Sequence, residues 1–401
     1  MNGYFDFNAT TPVSPGVQQA VSEAFGLFGN PSSRYSLSSP VQTLISETRK
    51  KVAQFLCCTP EEIIFTSGGT ESNNLAVRGV LDQYEPDQLC RQHVICSAIE
   101  HPSMIELLRC YERRHGLKVS FINPDAEGRI TLSSVENEII SETCLITLMA
   151  VNNETGVIQP VGPVAKLAQA HGIHFHVDAV QAVGKIPLDL SELGAQTVAF
   201  SGHKFYAPKG IGGLYCQTSC RLLPLFAGGG QENGMRSGTE NTVGIAALKA
   251  AVEECESWRD EKLKQFAELR SLALSLIHQH GLSARVIGAS NPEYQAPWTL
   301  NLSLSGIRGE SLATRLDLCH GICVSLGSAC SNNKEKRHSH VLKAMGIPEQ
   351  QIDGAIRISF GYATTESDVK HLVDSIAKEV GFLLSISPAK TQENEELSHV
   401  Y

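Results

Sequence analysis

CLITLMAVNNETGVIQPVGPVAKLAQAHGIHFHVDAVQAVG (144–184) decides the fold. CLITLMA is a continuous apolar run of strand length, VAKLAQAHG (164–172) is a helix closed by glycine, and IHFHVDA opens a second apolar run. Strands that are apolar on both faces need cover on both faces, which a parallel sheet between helices supplies. The same unit recurs upstream. EEIIFTSGG (61–69) leads into a helix at TESNNLAVRGVLDQY (70–84), and RQHVICSAIEHPS (91–103) leads into MIELLRCYERRHG, where Gly116 marks the stop. After GMRSGTEN (234–241) the texture changes. Residues 242–281 read as one or two long helices, and WTLNLSLSG (298–306) and AIRISFGYATTESDVKHLVDSIAKEVGFLL (355–384) read as a smaller α+β unit. The expected division is an α/β large domain over 15–255, a small domain from 1–14 and 256–385, and a polar tail, 386–401.

Composition sets the outer bounds. The 401 residues are 42% hydrophobic and 19% charged, which excludes a disordered or fibrous chain. A formal net charge of −9 argues against a nucleic-acid coat or a polybasic membrane binder. MNGYFDFNATTP lacks the basic-then-apolar pattern of a signal peptide, and no long apolar run suggests a membrane span, so a cytoplasmic protein is expected. The 12 cysteines are scattered. Cys216/Cys220 and Cys319/Cys323 are spaced i, i+4 and Cys57 adjoins Cys58, none of which makes a zinc module, so no metal site is expected and most read as small buried hydrophobes.

The chemistry centres on SGHKFYAPKGIGGLY (201–215). A lysine is ordinarily a solvated surface cation, but Lys204 follows the apolar run TVAFSG beside Ser201 and His203. In an enclosed cleft a lysine there can condense with an aldehyde cofactor. Asp178 ends a buried strand, where a carboxylate needs a partner such as a protonated pyridine nitrogen, and Gln181 can bond a ring oxygen. As readily, Asp178 could cap the next turn. TSGGTES (66–72) places Gly69 and Thr70 at a helix N-terminus suited to a phosphate. His101 could stack on a ring and move protons, and Asn153 sits at another strand end. Cys330, among glycine and serines, suits a mobile nucleophilic thiol.

Ten blocks occur in order: FDFNATTPV (5–13), GNPSSR (29–34), SGGTESNN (67–74), IEHPS (99–103), VNNETGVIQP (151–160), HVDAVQAVGK (176–185), SGHKFYAPKGIGGLY (201–215), GMRSGTEN (234–241), GSAC (327–330) and IRISFG (356–361). Together they resemble the NifS/IscS-type cysteine desulfurases, a branch of the fold-type I, class V aminotransferase-like enzymes, from about Asp6 to Thr365. The resemblance implies a mainly parallel sheet of the seven-stranded type beside a smaller domain, and pyridoxal 5'-phosphate on Lys204. Asp178 and Gln181 would contact the ring, His101 would stack on it, and Asn153 would lie beside it. Gly69, Thr70, Ser201 and His203 would seat the phosphate, completed by Thr239 from the second subunit of a homodimer. Arg357 would hold the carboxylate of L-cysteine, Cys330 would take the sulfur as a persulfide, and a sulfur-acceptor protein would receive it.

Two departures concern the details. Tyr362 stands where the family often has arginine. SNNKEKRHSH (331–340) is strongly basic, and the tail does not resemble the extension that docks an iron–sulfur scaffold. Iron–sulfur assembly, tRNA thiolation and DNA phosphorothioation stay open. Rival readings are a selenocysteine lyase or another lyase or aminotransferase of the same fold, and an idle scaffold, against which Lys204, Asp178, His101 and Arg357 together count.

Overall fold

A computed structural model describes residues 3–326 and 338–386. Its main sheet has seven strands: β1 (Ile63–Thr66), β2 (His93–Ser97), β3 (Lys118–Ile122), β4 (Thr143–Met149), β5 (His174–Asp178), β6 (Thr197–Ser201) and β7 (Gly212–Cys216). They lie in the order β1-β7-β6-β5-β4-β2-β3. β7 alone runs against the others, pairing antiparallel with β1 and β6. The strands β2 and β6 are buried along their whole length and β5 from Phe175 onward, as cover on both faces requires. The spacing did not reveal β3, and its burial explains why: it is a half-buried edge strand without a full apolar run.

Helices cover both faces. Three of them are α1 (Pro15–Ala24), α2 (Ser39–Phe55) and α3 (Gly69–Leu81). α3 presses Ala76, Val77, Val80 and Leu81 inward. The helix Pro102–His115 ends where expected, with Gly116 left-handed at φ 68°. Residues 242–279 form one helix of 38 residues, against which α1 and α2 both pack. Beyond it lies a second sheet, with β9 (Thr299–Leu304) between β8 (Ala284–Ile287) and β10 (Ala355–Ser359), all antiparallel. The amino-terminal segment belongs with that second sheet, through bridges of Asp6 to Ser359 and Tyr4 to Cys323. Among the described residues no helix is long and apolar enough to cross a membrane.

The turn after β5 is fixed by Gly184. Its φ is 80°, and a Cβ there would meet Phe205 Cβ at 2.5 Å. Gly184→Ala should therefore lower the melting temperature by several degrees, equivalent to roughly 2 kcal/mol, from left-handed strain plus overlap. A thermal scan of the two proteins checks it.

Candidate active site

Parallel strands deliver their following loops to one edge, and the chemical residues gather there. β1 leads to Gly68 and Gly69, β2 to His101, β4 to Asn153, β5 ends on Asp178 before Gln181, and β6 ends on Ser201 before His203 and Lys204.

Asp178 sets the directions of the hydrogen bonds. It is 4% exposed, and its carboxylate accepts from Val180 N at 3.0 Å and from Asn73 Nδ2 at 2.8 Å. A carboxylate only accepts, so the Asn73 amide must turn its NH2 toward it. The same NH2 donates to Ser103 Oγ at 3.0 Å, which frees that hydroxyl to donate to His101 Nδ1 at 2.8 Å. Ser103 N also donates to Nδ1, at 3.1 Å. With Nδ1 accepting from both, a neutral His101 carries its proton on Nε2. Burial, with the positive charges of Lys204 and His340, pulls His101 below the ordinary histidine range, although Asp178 opposes them. His101 is thus a neutral ring offering an N–H.

A second hub is Asn8, 2% exposed. Its carbonyl accepts from Lys204 Nζ at 2.7 Å and from Gln181 Nε2 at 2.9 Å, and Ala9 O accepts a second bond from Lys204 at 2.7 Å. Its amide donates to Thr299 Oγ1 at 2.8 Å and to Asn153 O at 3.2 Å. Lys185 holds Gln181 from the far side, donating to Oε1 at 2.6 Å with its ammonium 5.4 Å from the Trp298 ring centre. The Asn8 carbonyl only accepts, so the Gln181 amide also has a fixed direction, with its NH2 on the Lys204 side of the group. Burial, then the charges of Lys204 and Arg357, press Lys185 well below its ordinary range.

The residues present fit pyridoxal phosphate on three observations. α3 begins on Gly68, at φ 150°, with no side-chain cap, leaving N–H groups at an open helix end. A Cβ on Gly69 would stand 2.6 Å from Val180 Cγ2, and Gly68 holds a φ of 150° that side chains rarely adopt, so glycine suits both positions of that cradle. Asp178 is a buried carboxylate with no cationic nitrogen within 4 Å among the described residues, which suits a pyridinium. Thr70 is exposed at the same helix end, and Thr10 Oγ1 lies 3.1 Å from His203 Nδ1. Burial and the neighbouring lysines 204, 209 and 185 bring His203 down to about 4.

Arg357, on β10, is 4% exposed. It pairs with Asp6 at 2.6 Å and donates to Asn153 O at 2.9 Å, while its Nε has no partner among the described residues. Cys330 lies outside the described residues, but both ends of its segment are held at the site. Ser325 exchanges two backbone bonds with Arg357, at 2.6 and 3.0 Å. On the other side Ser339 Oγ donates to Glu154 at 2.6 Å, and His340 Nε2 donates to Glu100 O at 2.9 Å. Thr239 is exposed in the single chain, three residues beyond Arg236, which pairs with Glu71 of α3 at 2.9 Å.

Asn8, Asn73, Ser103, Lys185, Glu100 and Glu154 were not singled out in the sequence. For Asn73 a signal existed. It shares the buried stripe of α3 with Ala76, Val77 and Val80, a polar residue at an apolar register position. Glu100 and Glu154 are also buried. Burial, then Asp178, pushes Glu100 up to about 8, against bonds from Ser97 and Met149. Burial pushes Glu154 up to about 7, against Ser339 and Arg357.

The chain is similar to known proteins along most of its length. The family model for Aminotransferase class-V matches residues 3–372. A cysteine desulfurase IscS of Dictyoglomus turgidum is 36% identical over 390 residues, spanning 97% of each chain. A solved NifS-like protein superposes with a TM-score of 0.88 at 35% identity, covering 96% of this chain and 100% of its own. A structure of SspA in complex with cysteine gives 0.76 at 32% identity, with 89% and 98% covered.

Glu100 tests the electrostatics. Its acid is raised in the fold from an ordinary 4.5 to about 8, so the stability it contributes is whole below 4.5 and is lost as pH rises through 8. Glu100→Gln keeps the shape without the charge. Relative to wild type it should gain on the order of a few kcal/mol between those limits, read from denaturant unfolding at each pH.

Proposed function

The chain belongs to the class-V aminotransferase family, and we propose that it is a cysteine desulfurase that converts L-cysteine to L-alanine and passes the sulfur to Cys330. The observation that carries this reading is the convergence of Lys204, Asp178, Gln181 and Arg357 on Asn8, Asn73 and Asn153 at the carboxyl edge of the sheet. The family depends on pyridoxal phosphate, which when bound supplies an electron sink for charge at the substrate Cα.

The protein's own groups divide the remaining work. Asp178 would hold the ring nitrogen and keep it protonated, and Gln181, held by Lys185, would donate to the ring oxygen. Gly69, Thr70, Ser201 and His203 would seat the phosphate. Arg357, shared between Asp6 and Asn153 O, takes the substrate carboxylate as a planar donor. The base at Cα is the Lys204 amine, because the Ser103 bonds leave His101 Nε2 protonated and fit to donate. Cys330 thiolate attacks the substrate sulfur, so an S–S bond forms as C–S breaks, and the three-carbon product takes up protons and leaves as alanine. The anchoring of Ser325 on Arg357 and of Ser339 on Glu154 supports Cys330 in this role, since it roots the segment beside the substrate.

Each site is shared between two subunits, with Thr239 of one completing the phosphate seat of the other. Exposed Phe25, Phe28, Leu223 and Phe226 support such a contact. The site works in the cytoplasm and passes its persulfide to an acceptor protein for iron–sulfur assembly, tRNA thiolation or DNA phosphorothioation. The basic run 334–340, most of which lies outside the described residues, suits an acidic acceptor.

Alanine and sulfide release from L-cysteine with a reductant present tests the reading. Lys204→Ala and Cys330→Ala should each fall by about a hundredfold or more. Wild-type turnover of cysteine or selenocysteine by Cys330→Ala would replace this reading with a lyase.

A further inference from the structure

At the opposite edge of the main sheet, away from the cofactor end, stands a second cluster that the proposed reaction does not use. Thr197, the first residue of β6, pairs in register with His176 on one side and with Cys216, the last residue of antiparallel β7, on the other. Cys216 and Cys220 flank a turn in which Cys220 N donates to Gln217 O, and Cys216 Sγ donates to Gln217 O of the same turn at 3.9 Å. Cys220 Sγ lies 3.7 Å from His174 Nδ1. Both cysteines are half-buried, and Cys220 lines an open groove of about 640 Å³, so a small solute can reach it.

The donor directions from Asp178 extend to this cluster. The Asn73 NH2 faces Asp178, so its Oδ1 faces His176 Nε2 at 3.1 Å and must accept an N–H from it. Burial depresses His176 to about 3, which keeps it neutral, so its Nδ1 is an acceptor. Thr197 Oγ1, 3.0 Å away, therefore spends its single proton on His176 Nδ1. The other neighbour of that hydroxyl oxygen is His174 Nε2, also at 3.0 Å, which must then donate. With its proton on Nε2, a neutral His174 turns the lone pair of Nδ1 toward Cys220. Each partner is thus fixed in turn: Asp178, Asn73, His176, Thr197, His174, Cys220.

We propose that Cys220, Cys216 and His174 form a second reactive thiol centre, at which hydrogen peroxide oxidises Cys220 and Cys216 resolves the product into a disulfide. His174 Nδ1 takes the Cys220 proton. The thiolate attacks one peroxide oxygen, the O–O bond breaks, and the departing hydroxide recovers that proton from His174 as water, leaving Cys220 as a sulfenic acid. The Cys216 sulfur then attacks Cys220, an S–S bond forms, and the sulfenic oxygen leaves as a second water with the Cys216 proton. Two thiols are oxidised and one peroxide is reduced. The neighbouring Cys216 thiol and His174 hold the Cys220 thiol below its ordinary range despite burial, whereas Cys216 is raised by Cys220 and by burial, and burial raises Cys58, Cys96, Cys144, Cys255 and Cys323.

The test treats the full-length holoenzyme with near-stoichiometric hydrogen peroxide, alkylates the remaining thiols and maps each cysteine by mass. The readout is independent of turnover, so it stands apart from the desulfurase reading. The peptide holding Cys216 and Cys220 should lose two hydrogens before any of the other cysteines named above reacts. Cys216→Ser, a one-atom change, should stop at a Cys220 sulfenic acid trapped by dimedone. His174→Gln should slow the oxidation about tenfold. A pair that stays reduced while those other thiols oxidise would overturn the proposal, as would wild-type oxidation rates in His174→Gln.

Discussion

A buried carboxylate that can only accept hydrogen bonds is the constraint on which the rest of the site depends. Asp178 ends β5 inside the protein, and its two oxygens dictate which way Asn73 must face. From Asn73 the directions spread both ways, through Ser103 to His101 at the cofactor edge and through His176 to Thr197 within the sheet. No member of the network has a free choice of donor or acceptor, so the tautomer of each neutral ring follows from one charge. Proton-transfer groups are prepared this way without relying on a loop to settle.

The sheet and its loops were legible because they rest on local signals. Unbroken apolar runs gave the buried strands β2, β4 and β5, and Gly116 gave a helix end. Lys204 and Asp178 stood out in the sequence because a charge at the end of an apolar run is expensive unless it has work to do, whereas Arg357, inside β10, came only with the family resemblance. What stayed hidden depends on partners distant in sequence. Asn8 bonds Thr299, Asn153, Gln181 and Lys204, and nothing local in FDFNATT announces it. β8 was hidden because it is short and partly exposed at a sheet edge.

Lys185 and Arg357 show how the site tolerates crowded positive charge. Together with Lys204 they bring three basic side chains into one region, where Asp6 pairs with Arg357. Carbonyl oxygens of Asn8, Ala9 and Asn153 accept most of the remaining donors. The arrangement favours anionic guests, since a phosphate and a substrate carboxylate both relieve repulsion that the protein leaves in place.

The amino-terminal strap has a consequence for the order of assembly. Asp6 and Asn8 are made about 300 residues before their partners Thr299, Arg357 and Ser359. Lys204 therefore finds its two carbonyl acceptors framed only after those partners have been made. Contacts of such long sequence separation form late, after the sheet that they bridge. A chain that has not yet reached Arg357 then carries Lys204 without the frame that holds it, and β10 is what closes that frame.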